Sequence, residues 1–333
     1  MLLKSEIIIT CIAIFAITCS FLSCTGRGNT KGPTASISDP SVFNKPKWLI
    51  PDTAGLGNTR EGELIKYGRD LIVNTSHYFG PKGIVAAKSN GLNCQNCHLD
   101  AGTRLFGNNF SLVATSYPKY KERSGTVETV VKKVQDCFER SLNGKIIDPG
   151  SREMKAFVAY LKWVGKNVSK GTRPQGAGIE ELPFLDRAAD PALGKLVYEK
   201  KCRSCHGQNG EGVLSTAGTA YAYPALWGAH SYNIGASIFR ISKMAGFVKN
   251  NMPFGASQSK QQLSNEEAWD VAAFINSQPR PYKNTEVDWP DLATKPFDHP
   301  FGPYPESLFD QAQHKYGPYA PIKNHYTLLT KRK

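Results

Sequence analysis

The chain contains the five-residue pattern CxxCH twice, as CQNCH at residues 94–98 and as CRSCH at residues 202–206. The two thiols of this pattern can add across the vinyl groups of a haem, and the adjoining histidine is then held under the ring as an iron ligand. A pair of zinc knuckles is the alternative, but zinc needs its other ligands at knuckle or finger spacing and has no use for the adjoining histidine. We therefore expect two covalently bound haem c groups, attached through Cys94, Cys97, His98, Cys202, Cys205 and His206.

The two patterns begin 108 positions apart in a chain of 333 residues, which is long enough for two domains of ordinary size. We predict an all-α protein with two class I cytochrome c-like domains, at residues 47–172 and 186–281. A segment rich in glycine and proline at 173–185 is predicted to be the linker. Residues 282–333 are crowded with proline, tyrosine and phenylalanine, so we expect an irregular tail that packs over the domains.

Apolar residues at helical spacing predict the helices at the ends of each domain. These residues are Ile65, Gly68, Leu71 and Ile72; Met154, Phe157, Val158, Leu161 and Val164, which make one stripe; Leu193, Leu196 and Val197, in a helix that runs into the second haem site; and, in a closing helix at residues 265–277, Trp269, Val271, Ala272, Phe274 and Ile275.

The N-terminus has the pattern of an export signal. Residues 7–22 form an apolar run that is too short and too early for a transmembrane helix. The run ends in Leu22-Ser23-Cys24, which resembles a bacterial lipobox, although Phe21 stands where such boxes usually have leucine. We predict a signal at 1–23, a tether at 24–46 and a periplasmic protein that is lipid-anchored at Cys24, with a plain secretory signal as the alternative.

Cysteine usage singles out Cys137. Cys11 and Cys19 lie in the signal, Cys24 is the predicted lipid anchor, and haem attachment uses four more. Cys137 therefore has no disulfide partner, which is unusual in an exported protein. A buried small hydrophobe is one interpretation. Ligation of iron as a thiolate is the other, favoured by nearby cations, namely Lys119, Lys121, Arg123, Lys132, Lys133 and Arg140.

The sixth iron ligand of the second domain is predicted to be a methionine. Met252 precedes Pro253 in a loop 46 residues after His206, where small cytochromes usually keep their distal thioether. Met244 competes for this role, but its apolar neighbours at helical spacing favour a place in a helix core. In the first domain Met154 lies on a core stripe, which leaves Cys137 as the candidate.

The excess of basic residues gives the chain a formal net charge of +13. Such an excess attracts anionic small molecules or acidic protein partners. Nucleic acid is excluded as a partner, because the compartment is wrong and no module combining basic and aromatic residues is present.

One stretch of the chain resembles the dihaem thiosulfate dehydrogenases. The string VQDCFERSLNG at residues 134–144, 39 residues after His98 when counted to its cysteine, carries the resemblance. Residues 251–253 (NMP) and 313–318 (QHKYGP) extend it over nearly all of the mature chain. It implies a periplasmic enzyme that couples two thiosulfates into tetrathionate, releasing two electrons, and that in some members works mainly in reverse.

The resemblance also implies the ligands and roles of the two haems. It assigns His98 and Cys137 to the active-site haem, and His206 and Met252 to a haem that passes electrons outward. Since a thiolate lowers and a thioether raises a haem potential, electrons would flow from the first haem to the second. The acceptor is expected to be a small cytochrome or a quinol-linked carrier.

Thiosulfate is a dianion, so a site for it needs fixed cations and hydrogen-bond donors. Arg123, Lys133 and Arg140 are candidate cations, and Ser141 and Asn143 are candidate donors. A solvated helix face and a helix-end cap are the respective alternatives. The family usually has arginine at the position of Lys133, and lysine keeps the charge but not the planar fork. Cys137 is the predicted catalytic nucleophile.

Two other functions are compatible with the haem motifs. A dihaem cytochrome that only transfers electrons would account for both CxxCH patterns and the basic charge, but it would give Cys137 no role. A carrier subunit that docks with a sulfur-oxidising complex through a cysteine persulfide would show turnover only together with partner proteins.

Overall fold

The computed structural model describes residues 46–216 and 218–331. The predicted signal and nearly all of the tether, Cys24 included, lie outside these residues. The helices are α1 (Arg60–Val73), α2 (Thr75–Phe79), α3 (Leu99–Gly102), α4 (Val113–Ser116), α5 (Val130–Asp136), α6 (Arg152–Val164), α7 (Pro191–Lys201), α8 (Arg203–His206), α9 (Ile241–Asn251), α10 (Asn265–Ser277), α11 (Gln311–Tyr316) and α12 (Tyr319–Lys331). A π-helical turn, Cys137–Ser141, follows α5 directly.

Helices α1 and α6 frame the first half of the chain. Their N-caps are Thr59 and Ser151, whose hydroxyls accept hydrogen bonds from the amides of Gly62 and Met154. The apolar stripes predicted for both helices are buried, except Val158, which is partly exposed. The helices cross closely at Gly68, where a β-carbon would overlap the carbonyl oxygen of Ala156.

The second half repeats this crossing with α7 and α10. Helix α10 has the predicted bounds and begins with a capping box formed by Ser264 and Glu267. The two helices touch at Gly194, where a β-carbon would overlap the carbonyl oxygen of Asp270. Helix α7 forms where Leu193, Leu196 and Val197 predict a helix, although Leu193 and Leu196 are 45% and 62% exposed. The contact face carries Gly194, whose missing side chain gives no hydrophobic signal.

Buried side chains form two hydrophobic clusters. One extends from Trp48 to Val168 and the other from Leu182 to Ile322. Cys94 of the first CxxCH pattern packs against one cluster and Cys202 of the second packs against the other, in agreement with one haem-binding unit in each half.

The tail differs from the irregular chain that was predicted. Residues 282–310 hold only a short 3₁₀ turn, Leu292–Thr294, but α11 and α12 are helical. Helix α11 is capped by Asp310, and Tyr319 and Ile322 of α12 are buried in the second cluster. The tail therefore contributes to the core of the second half.

Two small antiparallel hairpins were not predicted. Strands β1 (Lys119–Lys121) and β2 (Thr126–Glu128) form one, and β3 (Val213–Leu214) and β4 (Tyr221–Tyr223) form the other. Among the helices described here, none combines the length and the apolar character needed to cross a membrane.

Candidate haem and substrate sites

The first CxxCH pattern opens into a cavity of ≈ 330 Å³ lined by Cys94, Cys97 and His98. The Nδ1 atom of His98 lies 2.5 Å from the carbonyl oxygen of Asn108. Burial lowers the pKa of His98 to about 4, and Lys133 contributes in the same direction. The imidazole is therefore neutral at physiological pH. Its Nδ1–H donates to Asn108, which leaves the lone pair of Nε2 free to bind a metal.

Cys137 lines the same cavity as His98. It is the first residue of the π-helical turn, a widened turn that is frequent at functional sites. The next residue, Phe138, is 1% exposed, and its ring packs edge-on against Phe79 at 5.3 Å between centroids. This buried anchor fixes the turn, so the position of Cys137 at the cavity is determined by core packing.

The second CxxCH pattern lines a cavity of ≈ 440 Å³ together with both candidate methionines, Met244 and Met252. His206 Nδ1 lies 2.9 Å from the carbonyl oxygen of Pro224, and burial lowers its pKa. Met244 is on the buried face of α9, whereas Met252 is the residue at which that helix ends.

Both cavities fit a covalently attached haem. Each is lined by two cysteines and one histidine of its own pattern, and its walls are mainly apolar. The cavities also share wall residues, namely Leu92, Asn93, Cys97 and Ile238. One attachment cysteine of the first site thus also borders the second site.

Three lysines face the first cavity: Lys119, Lys121 and Lys133. Lys119 and Lys121 are two positions apart on strand β1, so both side chains are on the same face of the strand. Burial lowers the pKa of Lys121, and the charges of Lys133 and Lys119 lower it further. Within residues 46–216 and 218–331, neither Lys121 nor Lys133 has a carboxylate within ion-pair distance. The part of the cavity wall formed by these lysines is therefore positively charged and suited to an anion.

Five of the six predicted substrate residues separate into two groups. Cys137, Lys133 and Ser141 line the first cavity. The guanidinium of Arg140 instead forms two hydrogen bonds of 2.7 Å with Asp288, and the side-chain oxygen of Asn143 accepts one of 3.0 Å from Asn233. Neither Arg140 nor Asn143 lines the cavity.

Arg123 does not line the first cavity, but it lines a neighbouring cavity. Its guanidinium donates to Asp136 at 2.7 Å, and Lys132 contacts the other oxygen of the same carboxylate at 2.6 Å. Burial opposes ionisation of Asp136, but Lys132 and Arg123 outweigh it and hold its pKa below the ordinary value. Arg123 lines a separate, outer cavity of ≈ 200 Å³, which also contains Lys121 and Lys133.

Sequence reasoning missed several residues of these sites. Asn108 and Pro224 orient the histidines through backbone carbonyls, which leave no sequence signal. Ser237 lines both the first and the outer cavity, although it lies in the second half of the chain. Lys121 had been noted only as a nearby charge, and the Lys-x-Lys alternation of β1 is the signal that points to a shared face.

The fold and the two sites define a dihaem c-type cytochrome. The family model "Cytochrome c" matches residues 191–279, and the model "SoxA/TsdA, cytochrome c domain" matches residues 85–172. The two cytochrome c domains, each with its CxxCH pattern, imply two covalently bound c-type haems.

Curated relatives place the chain in a family. It is 36% identical to a thiosulfate dehydrogenase of Psychrobacter arcticus over 79% of this chain and 77% of that protein. It is 37% identical to one of Allochromatium vinosum over 75% of this chain and 86% of the relative. The chain belongs to the thiosulfate dehydrogenase family.

A solved structure agrees with this assignment. Thiosulfate dehydrogenase (TsdBA) from Marichromatium purpuratum, in its as-isolated form, superposes with a TM-score of 0.64 at 30% identity. The match covers 71% of this chain and spans half the length of the other.

Proposed function

We propose that this protein oxidises two thiosulfates to one tetrathionate and passes two electrons to a redox partner. The observation that carries the proposal is that the thiol of Cys137, which forms no disulfide within residues 46–216 and 218–331, lines the same cavity as the haem-motif histidine His98, beside three lysines. The names of its relatives, thiosulfate dehydrogenases, support the choice of thiosulfate.

The cavities support the haem ligands that we propose. His98 and Cys137 would hold the iron of the first haem, and His206 and Met252 that of the second. The two haems, when bound, supply two one-electron redox centres. The shared wall of Leu92, Asn93, Cys97 and Ile238 keeps the two sites adjacent, which favours electron transfer between them.

The proposed chemistry has two steps on Cys137. In the first, Cys137 would give up its place as an iron ligand, and its thiolate and the terminal sulfur of thiosulfate would form an S–S bond, giving Cys–S–S–SO₃⁻ and releasing two electrons. In the second, another thiosulfate attacks the sulfur bound to Cys137, the Sγ–S bond breaks, and tetrathionate leaves with the thiolate restored. The second step consumes no electrons, so the two thiosulfates and two electrons balance.

Electrostatics explains why lysines are needed. A singly charged adduct and a doubly charged thiosulfate repel by about 5 kcal/mol at roughly 6 Å and an effective dielectric constant of about 20. Lys119, Lys121 and Lys133 offset this repulsion, and the Ser141 hydroxyl can donate to a sulfonate oxygen. Arg140 and Asn143 would position the loops around Cys137 through their own hydrogen bonds instead of contacting the substrate.

The same chemistry runs in reverse with tetrathionate and two electrons, so tetrathionate reduction is a second direction of the same proposed activity. We further propose export to the periplasm, where c-type haem is attached, with a lipid on Cys24 and a small cytochrome or quinol-linked carrier as redox partner.

The test uses the holoprotein with both haems attached. Thiosulfate oxidation is assayed with ferricyanide, and tetrathionate reduction with reduced viologen. Wild-type protein is expected to turn over, and Cys137→Ala is expected to lose at least about a thousandfold in rate while retaining two haems per chain. Intact-protein mass spectrometry should detect one thiosulfate unit on the wild type and none on the variant. Full turnover of Cys137→Ala would show that the covalent step is wrong, and a wild type without turnover would favour pure electron transfer.

A further inference from the structure

The outer cavity of ≈ 200 Å³ lies against the first haem cavity. The two cavities have three lining residues in common: Lys121, Lys133 and Ser237. The far wall of the outer cavity comes from the tail, through Trp289 and His299. The backbone amide of Trp289 donates to the carbonyl oxygen of Arg123 at 2.7 Å, which attaches this part of the tail to the first half of the chain.

Some of the charged side chains around the outer cavity form ion pairs, and others do not. Arg123 is paired with Asp136, and Arg240 with Asp298. Asp288 lies in the wall but is engaged by Arg140, and the exposed Glu122 is the remaining carboxylate of the lining. In the part of the chain that the structure describes, the cations without a carboxylate partner at this cavity are Lys121 and Lys133, and both stand where it meets the first cavity.

We propose that the outer cavity is the binding site of the second thiosulfate dianion, held by Lys121 and Lys133 at the boundary between the two cavities. The proposal rests on the proposed function, because it concerns the second of its two steps. The serine hydroxyl of Ser237, also at the boundary, is a further donor to the sulfonate oxygens. Because residues of the tail form part of the wall of this site, the site would be incomplete without the C-terminal segment.

This arrangement accounts for the order of events. The first thiosulfate reaches Cys137 in the first cavity and forms the adduct. The second anion waits in the outer cavity, with its terminal sulfur directed at the adduct across the shared boundary. Attack forms the new S–S bond of tetrathionate, breaks the bond to Cys137 Sγ and leaves the thiolate behind. Tetrathionate, a dianion with a sulfonate at each end, would then extend over both cavities before it leaves.

The experiment separates the two half-reactions in holoprotein. Adduct formation is followed by quenched-flow mass spectrometry with ferricyanide present. Adduct discharge is followed by isolating the adduct, adding thiosulfate at increasing concentrations and measuring tetrathionate release. The variants are Lys121→Gln, the charge-keeping Lys121→Arg, and Lys155→Gln as a control that removes one lysine from the exposed side of α6.

We expect Lys121→Gln to lower the second-order rate constant of discharge by about tenfold or more, while adduct formation falls by less than about threefold. Lys121→Arg should restore most of the discharge rate, and Lys155→Gln should leave both steps within about twofold of wild type. An equal fall in both steps, or no fall in discharge, would overturn the outer site. A wild type that forms no adduct at all would instead refute the proposed function, so the two failures are distinguishable.

Discussion

Arg140 and Asp288 lie 148 residues apart and form a two-pronged ion pair, with Nη1 2.7 Å from Oδ2 and Nη2 2.7 Å from Oδ1. Both side chains are largely buried, with 13% and 7% of their surface exposed. Arg140 belongs to the π-helical turn that begins with Cys137, and Asp288 belongs to the tail. The pair therefore connects the turn of the proposed nucleophile to the segment that closes the outer cavity.

Asp288→Asn should destabilise the protein by about 3 kcal/mol, because it leaves a buried guanidinium without its counter-charge. Urea unfolding of the holoprotein measures the change. Glu63→Gln is the matched control, since it breaks an exposed pair with Lys66 and should cost less than about 1 kcal/mol. Equal losses for the two variants would mean that the Arg140–Asp288 pair does not hold the tail.

The two close helix crossings predict a shared sensitivity to one added methyl group. Gly68→Ala and Gly194→Ala should each destabilise their half by about 1–3 kcal/mol, because the new β-carbon would overlap a carbonyl oxygen of the facing helix. Thermal unfolding is the measurement. Gly55→Ala is the control, since nothing lies within 4 Å of its added β-carbon, and it should leave the melting temperature nearly unchanged. If all three variants have the same melting temperature, the two helix crossings are not tightly packed.

His299 predicts a loss of stability in acid. Burial, assisted by the charge of Lys295, lowers the pKa of His299 to about 4, below its ordinary value near 6.5. Since the folded state binds fewer protons than the unfolded chain between these values, the free energy of unfolding should fall as the pH drops from 6.5 to 4.

The loss assigned to His299 should be about 1–3 kcal/mol. It is measured as the difference between wild type and His299→Gln in urea unfolding at pH 7 and pH 4.5, which cancels the contributions of other groups. A pH dependence that is the same in both proteins would contradict a neutral His299 in the folded state.

The two methionines of the second cavity should behave differently. Met252→Leu should abolish the thioether-to-iron charge-transfer absorption and lower the potential of the second haem on the order of 0.1 V, because a thioether ligand raises that potential. Met244→Leu keeps the buried volume and should leave both properties nearly unchanged. The opposite result would assign the iron to Met244.

The helices at the domain ends were predictable because their information is local. Each of these signals occupies one continuous stretch of the chain: the apolar stripe of α6, the capping residues of α10 and the two CxxCH patterns. Contacts made elsewhere in the fold therefore have little effect on whether these helices form. Helix α7 was also predictable, but its contact with α10 was not, because Gly194 at that contact carries no side chain for a hydrophobic pattern to register.

The surroundings of Cys137 were less predictable. Arg140 was expected to bind substrate from its place in the chain, but it faces Asp288, which only the folded tail brings near. In the sequence, Lys121 is one of several cations near Cys137. In the structure, the hairpin of β1 and β2 places Lys121 at the wall of the cavity. No sequence signal pointed to Ser237, because the first cavity, which it lines, is built mainly from residues of the other half of the chain.

The amino-acid sequence by itself determined the two covalent haems, the all-α class and the presence of one cysteine outside the haem motifs and the predicted signal, since motif spacing, helical periodicity and residue counts are read directly from the order of residues. The tertiary structure decided which cations remain available to an anion at that thiol. The physical reason is that a charge acts on its neighbours in space, and the carboxylates that neutralise Arg123, Arg140 and Arg240 lie 13, 148 and 58 residues away along the chain.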